Sequence, residues 1–156
     1  AAPVQLRNAA VAIAALRALP KAPKALPRPA IAEGVAGATV AGRLQRFERA
    51  GVEILVDVAH NPQAARALSA WLAASPQRGD LHAVYAALND KDAAGVVGEL
   101  APRVARWHLA AAEGGRHDDV ADALAAALDG AKKGDRVLVF GSFHTAAAAL
   151  EWLARD

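Results

Sequence analysis

The chain has 156 residues, 54% of them apolar, no cysteine and a formal net charge of +2. This length supports one domain with a core, while the small charge and the few aromatic residues argue against a nucleic-acid partner. The lack of cysteine excludes disulfides and thiolate metal sites, and no apolar run approaches the roughly 20 residues that span a bilayer. We therefore expect a globular protein of the cytoplasm, without a membrane or nucleic-acid partner.

The first residues predict a helix and then a linker. Residues 5–19 are rich in strong helix formers and carry apolar residues at helical spacing. Four prolines among residues 20–29 predict an extended connector and a domain boundary. A helix without a packing partner is typical of a fragment. We therefore expect residues 1–19 to end an upstream domain, residues 20–38 to form a linker and short connector, and residues 39–156 to form the main domain.

The main domain alternates strand and helix patterns. Polar and apolar residues alternate at 43–48, and an apolar run follows at 52–58, which together predict an antiparallel hairpin. The elements predicted after it are helix 62–74, strand 80–88, helix 90–101, strand 104–110, helix 118–129, strand 136–141 and helix 142–155. Such alternation predicts an α/β fold with a mostly parallel sheet and helices on both faces.

Two of the predicted strands end in polar side chains that are capable of chemistry. In the sequence DVAHNP at residues 57–62, Asp57, His60 and Asn61 follow the first buried strand, and GSFHT at residues 141–145 follows the last one. Because ligands gather at the carboxyl ends of parallel strands, the two clusters predict one shared crevice. Taken from the residues alone, turn, surface and helix-capping roles remain an alternative for the first cluster.

The chain lacks the sequence patterns of the common phosphate loops and of metal sites. Neither G-x-x-x-x-G-K-[ST] nor G-x-G-x-x-G occurs, so much of any ATP site would have to lie outside this chain. His82, His108 and His117 show no metal-ligand spacing and are expected to be structural or surface residues. No metal site is therefore predicted within the chain.

Four motifs resemble those of the folylpolyglutamate synthase family, in particular its bifunctional dihydrofolate synthase/folylpolyglutamate synthases. They are GRLQ at 42–45, DVAHNP at 57–62, NDKD at 89–92 and VFGSFHT at 139–145, in the order in which the family has them. QLRNAAVAIAAL at 5–16 is similar to the helix that closes the family's amino-terminal ATPase domain. The resemblance implies a Mur ligase C-terminal domain type of fold: a Rossmann-like, mostly parallel sheet of about six strands with an antiparallel edge hairpin.

The same resemblance implies an ATP-dependent amide ligase. In this family ATP phosphorylates a substrate carboxylate, and the amine of L-glutamate attacks the resulting acyl phosphate. The partners would be ATP, L-glutamate, dihydropteroate or reduced folates, and an upstream ATPase domain that carries the phosphate loop and the Mg²⁺ ligands. The chain alone is therefore expected to be inactive. Two rival hypotheses are another Mur-type ligase that extends a peptidoglycan precursor and a non-catalytic α/β binding module.

The resemblance assigns ATP contacts to Asn8, Arg43 and Asp57. A guanidinium group offers a planar, permanently charged fork to phosphate oxygens, and a carboxylate can accept hydrogen bonds from ribose hydroxyls. Without the resemblance, Asn8 would be taken for the polar face of a helix and Arg43 for an exposed strand charge.

The resemblance assigns the glutamate pocket to His60 and Ser142, with His60 and Asp57 as the candidate catalytic residues. Weaker neighbours are Asn61, His144 and Thr145. Lys91 could offset charge on a phosphate or carboxylate, although a helix N-terminus would equally explain the acids around it. Phe143 is expected to belong to the core.

Overall fold

The computed structural model describes residues 3–20, 27–76, 78–87, 91–110 and 119–155. Its helices are α1 (Pro3–Ala18), α2 (Arg28–Gly37), α3 (Pro62–Ala74), α4 (Ala93–Leu100), α5 (Val120–Gly130) and α6 (Phe143–Leu153). Its strands are β1 (Gln45–Arg49), β2 (Val52–Val56), β3 (Leu81–Tyr85), β4 (Arg106–Leu109) and β5 (Arg136–Phe140). The chain divides into two compact units, residues 1–40 and residues 41–156.

The first unit contains α1 and α2. Along α1, the apolar side chains of Leu6, Val11 and Leu16 are 54%, 69% and 50% exposed. The expected extended connector is wrong at its end, because α2 begins at Arg28 with a proline in its first turn, where the fixed φ of proline suits a helix. Residues 21–26 of that connector lie outside the described residues. Within the described parts of the chain, no helix has the length and apolar character needed to cross a membrane.

The described residues of the second unit form a five-stranded sheet in the order β1-β2-β5-β3-β4. β1 pairs antiparallel with β2, whereas the other three pairings are parallel. This confirms the predicted α/β class with its antiparallel edge hairpin, although five strands are present there rather than about six. β5, the last strand in the chain, lies between β2 and β3, so the carboxyl ends of all three are neighbours.

Both faces of the sheet are covered by helices, as predicted. Neighbouring residues such as Ile54 and Leu55 point to opposite faces and are both fully buried. One core lies under α5 and α6 and includes Ile54, Val84, Leu124, Val137 and Val139. The other lies under α3 and α4 and includes Leu55, Leu68, Leu100, Leu138 and Phe140. The apolar strands are therefore buried on both sides, which fixes their carboxyl ends in place.

For β1 and α4, a local reason explains why the element begins later than predicted. β1 begins at Gln45 rather than at residue 43, because Leu44 has a φ of +48°, which a strand does not allow. α4 begins at Ala93, since the side chain of Asp92 accepts a hydrogen bond from the Gly95 amide (2.8 Å) and caps the helix. Residue 90, the first one predicted for that helix, lies outside the described residues.

β1 forms one edge of the sheet and is fixed to α3. Arg46 and Glu48 are the exposed residues of this strand. Arg46 forms an ion pair with Glu53 (3.2 Å), and its guanidinium carbon lies 5.2 Å from the ring centroid of Trp71 on α3. The ion pair therefore joins the two strands of the edge hairpin, and the contact with Trp71 connects the hairpin to the helix layer.

Asp135 connects the turn before β5 to the segment before β3. Its Oδ1 accepts from the Asp80 amide and its Oδ2 from the Lys132 amide, both at 2.8 Å, and Oδ2 lies 3.5 Å from Nε2 of the buried His82. The hydrogen bond from the Lys132 amide, together with the Asp80 amide and His82, holds the pKa of Asp135 below its ordinary value despite burial.

Asp135→Asn should lower the free energy of unfolding by about 1–3 kcal/mol at neutral pH. Asparagine has one acceptor oxygen, so one of the two amides loses its partner. Because the folded-state pKa of Asp135 is lowered, its stabilisation is present above the ordinary pKa and is lost as the pH falls through the folded value. Urea unfolding at about pH 7 and about pH 3 checks this, since the difference between the two proteins should shrink in acid. Equal stability at neutral pH would contradict it.

Candidate functional site

The two predicted polar clusters lie side by side at the carboxyl end of the sheet. β2 and β5 are adjacent and parallel, with Val56 opposite Val139. The Asp57 amide continues this pairing by donating to the Val139 carbonyl (2.9 Å). The segments that follow the two strands, 57–62 and 141–145, therefore begin at neighbouring points, as expected for a shared crevice.

A tight loop at residues 42–45 presents Arg43. Gly42 and Leu44 on either side of it have positive φ values, +65° and +48°. The Gly42 amide donates to Oε1 of Gln45 (3.1 Å), and the Gly42 carbonyl accepts from the Val58 amide (2.9 Å). A Cβ atom at Gly42 would lie 2.9 Å from Cγ1 of Val58. The loop is thus packed directly against the segment after β2, and Arg43 lies exposed at its tip.

Asp57 holds this loop and the end of β2 together. Its Oδ2 accepts from the Leu44 amide (2.9 Å) and its Oδ1 from the Ala59 amide (2.8 Å). Burial raises the pKa of Asp57 above its ordinary value, opposed by these two hydrogen bonds and by the charge of Arg43. Each oxygen keeps a second lone pair, so the carboxylate could still accept from a ligand hydroxyl.

The hydrogen bond of His60 determines its tautomer. Nδ1 lies 3.0 Å from the Val58 carbonyl oxygen. A carbonyl can only accept, so Nδ1 carries the proton and Nε2 is the acceptor nitrogen of the neutral ring. The half-buried imidazole can therefore accept a proton or a hydrogen bond through Nε2.

Ser142 and Thr145 form a directed chain of hydroxyl groups. The Thr145 hydroxyl donates to the Ala86 carbonyl after β3 (2.7 Å), so the Ser142 hydroxyl must be the donor across the 2.7 Å contact between the two side chains. Ser142 also caps α6 by accepting from the Thr145 amide (3.0 Å). With its only proton used, Ser142 can offer a ligand nothing but a lone pair.

Phe143 does not belong to the core, contrary to expectation. It is the first residue of α6, and its side chain is 61% exposed. The guanidinium carbon of Arg43 lies 5.8 Å from its ring centroid, and the His60 ring centroid lies 6.5 Å from it at an angle of 42°. The apolar character of Phe143 suggested burial, but a position just after the capping Ser142 turns the side chain outward. That capping pattern is the signal that could have identified it.

The remaining candidate residues lie on four different segments of the chain. Asn61 is exposed and caps α3 by accepting from the Ala64 amide (2.8 Å), while His144 is exposed in the first turn of α6. Lys91 lies half-buried between β3 and α4, next to the residue that caps α4. Asn8 is exposed on α1, in the other unit. Asn61 and His144 are thus the neighbours in the chain of His60 and Phe143.

The other histidines have different surroundings. His82 is buried in β3, and its ring stacks on that of His108 in β4 at a centroid distance of 5.8 Å. His117 lies outside the described residues. Among the residues that are described, no group of three or more histidine, cysteine or carboxylate side chains is arranged to hold a metal ion.

Comparison with known proteins identifies the family. Residues 42–155 match the family described as "Mur ligase, glutamate ligase domain". The dihydrofolate synthase/folylpolyglutamate synthase of Escherichia coli K12 is 39% identical over 160 aligned positions, which cover 92% of this chain and 37% of that protein. The Mycobacterium tuberculosis H37Rv protein of the same name is 36% identical over 100 positions, covering 63% of this chain and 20% of the relative. The chain thus spans little more than a third of the length of the Escherichia coli relative.

Solved structures of similar proteins have the same fold. E. coli FolC in complex with DHPP and ADP superposes with a TM-score of 0.83 at 38% identity, covering 95% of this chain and 39% of that chain. A bifunctional folylpolyglutamate synthase/dihydrofolate synthase with Mn, AMPPNP and L-glutamate bound gives a TM-score of 0.83 at 36% identity, covering 96% and 39% of the two chains. By its matched family, its sequence relatives and its fold, this chain belongs to the Mur ligase, glutamate ligase domain family.

Proposed function

We propose that the chain is the carboxy-terminal part of an ATP-dependent ligase of the cytoplasm that adds L-glutamate to dihydropteroate or to reduced folates. The observation that carries this proposal is the meeting of Arg43, on the loop 42–45, with His60, at the end of β2, at one exposed aromatic ring. An anion-binding fork and a neutral acceptor lie close together there. The names of the relatives and of the superposed structures, which include complexes with ADP and with L-glutamate, support the same function.

The proposal includes an upstream ATPase domain in the same parent protein. We assign residues 1–19 to the last helix of that domain, residues 20–38 to the connection and residues 39–156 to the glutamate-ligase domain. The exposed apolar side chains of α1 and the fraction of the relatives that this chain spans support the assignment. The phosphate loop and the Mg²⁺ ligands would lie in that upstream domain.

The chain's own residues suggest how each would act. ATP would supply the phosphoryl group that activates the carboxylate of the folate substrate. The Arg43 fork fits phosphate oxygens, and Asp57 would keep the Arg43 loop fixed while accepting from a ribose hydroxyl. Asn8, on α1, stays a predicted ATP contact.

The glutamate side of the site is rich in acceptors. Nε2 of His60 and Oγ of Ser142 can each accept a hydrogen bond, and neither can donate one in the arrangement described. Two acceptors recognise an ammonium group rather than a carboxylate, so they would orient the amine of glutamate toward the activated carboxylate. Asn61 and His144 are near neighbours in the chain of His60 and Ser142 and would assist at the edge of the pocket, and Lys91 would assist there from the segment after β3.

The test is release of phosphate from ATP by the full-length parent protein. Release should require a pterin substrate, which is dihydropteroate or a reduced folate, together with L-glutamate, and the isolated chain should release none. A parent protein that releases phosphate only with a peptidoglycan precursor would show that it is a different Mur-type ligase. Absence of release with every carboxylate substrate would favour a non-catalytic module.

His60→Ala in the parent protein should lower kcat/KM for L-glutamate about 10- to 100-fold, as expected when an acceptor to a charged amine is removed. The KM for ATP should change much less, because Nε2 of His60 would bind L-glutamate rather than ATP. Gln63→Ala, an exposed change in the first turn of α3, is the matched control and should have no effect. A loss shared equally by both substrates would argue against this role of His60.

A further inference from the structure

Phe143 is a large apolar side chain that the core does not use. Its ring is 61% exposed at the start of α6, beside the end of β5. Exposed rings of this size leave apolar surface in water without any gain in stability. What sets this ring apart from other exposed apolar side chains is the pair of side chains that it contacts.

The ring contacts one residue from each of the two segments that face it. Arg43 extends from the loop 42–45, and its guanidinium carbon lies 5.8 Å from the ring centroid. His60 extends from the segment after β2, with its ring centroid 6.5 Å away. A guanidinium group within about 6 Å of an aromatic face is attracted by the negative face of the ring. The ring of Phe143 thus contacts both Arg43, the proposed ATP-binding side chain, and His60, the proposed glutamate-binding side chain.

We propose that Phe143 is a positioning residue that holds Arg43 and His60 in their binding orientations before the substrates arrive. The proposal rests on the proposed function. Arginine has many rotamers, and their restriction by a nearby ring lowers the conformational entropy that ATP binding would otherwise have to overcome. The hydrogen bond from Nδ1 to the Val58 carbonyl fixes one side of the His60 imidazole, and the ring of Phe143 limits the rotation of the imidazole on the other side.

Phe143→Leu in the full-length parent protein tests the aromatic contact. Leucine keeps apolar bulk and suits a helix, so folding should be preserved. The KM for ATP should rise about two- to fivefold, the range expected for an exposed cation–π contact, and the KM for L-glutamate should rise as well. Phe143→Trp, which restores an aromatic face, should return both values toward the wild type. Leu109→Ala removes another exposed apolar side chain, on the edge strand β4, and should change neither.

A double-mutant cycle separates positioning from a direct ligand contact. If Phe143 acts through Arg43, then Arg43→Ala combined with Phe143→Leu should bind ADP no more weakly than Arg43→Ala alone, as measured by calorimetry. If each substitution instead lowers the affinity for ADP by its own factor and the two factors multiply, Phe143 acts independently of Arg43 and the proposal is wrong.

The proposed function and the positioning role fail in different ways. A wild-type parent protein that releases no phosphate with any pterin substrate overturns the proposed function. A wild-type protein that is active, with unchanged KM values in Phe143→Leu, leaves the function in place and overturns the positioning role.

Discussion

Gly141→Ala should lower the free energy of unfolding of this chain by about 3 kcal/mol or more. Gly141 has a φ of +128°, a conformation that alanine rarely adopts. A Cβ atom there would overlap the carbonyl oxygen of Ala86 and would lie 2.8 Å from its carbonyl carbon. Both of these Ala86 atoms belong to the backbone at the end of β3, and the Thr145 hydroxyl donates a hydrogen bond to the same carbonyl. The ends of β3 and β5 would have to separate.

Urea unfolding of the two proteins measures this effect, and a second glycine provides the control. Gly98 lies exposed on α4, and a Cβ atom added to it would have no other atom within 4 Å beyond its own helix backbone and chain neighbours. Gly98→Ala should therefore stabilise the chain by about 0.5–1 kcal/mol, as expected inside a helix. If Gly141→Ala were as harmless as Gly98→Ala, the close approach of β5 to Ala86 would be contradicted.

Asp57→Asn should lower kcat/KM for ATP in the full-length parent protein by about 100-fold, corresponding to about 2.7 kcal/mol. Asparagine has one acceptor oxygen, so its amide group would face the amide of either Leu44 or Ala59. Two facing donors repel each other, and the loop that carries Arg43 would lose its attachment to β2. Initial rates of phosphate release at varied ATP concentration measure the loss.

The control for this substitution is the same change at a helix cap. Asp119 caps α5 through one oxygen, which accepts from the Asp122 amide (2.8 Å). Asparagine caps helices as well as aspartate does, so Asp119→Asn should leave activity unchanged. Because burial raises the pKa of Asp57, wild-type activity should begin to fall in acid at a higher pH than an ordinary aspartate would give. An Asp57→Asn protein with wild-type kcat/KM would show that the two amide bonds do not matter for the loop.

The order and type of the elements were predictable, because the apolar runs at β2 and β5 and the helix patterns between them are strong local signals. The residues at which the elements begin and end were less predictable. The start of β1 depends on Leu44 having a positive φ, and the amide of Leu44 is hydrogen-bonded to Asp57 in another segment. The position of β5 between β2 and β3 is a feature of tertiary structure that follows from packing on both faces of the sheet.

The location of the candidate site was predictable, whereas the role of each residue in it was less predictable. Asp57 and His60 stand at the strand end, as their spacing suggested, but Asp57 also bonds the amide of Leu44, on a loop that lies before the whole hairpin. The role of Phe143 depends on Arg43, which lies near the opposite end of this domain's sequence. No local pattern records such a contact.

The charges on β1 affect how separate molecules of this chain meet. An edge strand offers unpaired amide and carbonyl groups to any other extended chain, and such pairing can begin aggregation. Arg46 and Glu48 are exposed on this edge strand. A second molecule that paired there would bring its own side chains beside both charges, which opposes such pairing. Concentrated solutions of the chain should therefore resist polymerisation through this edge.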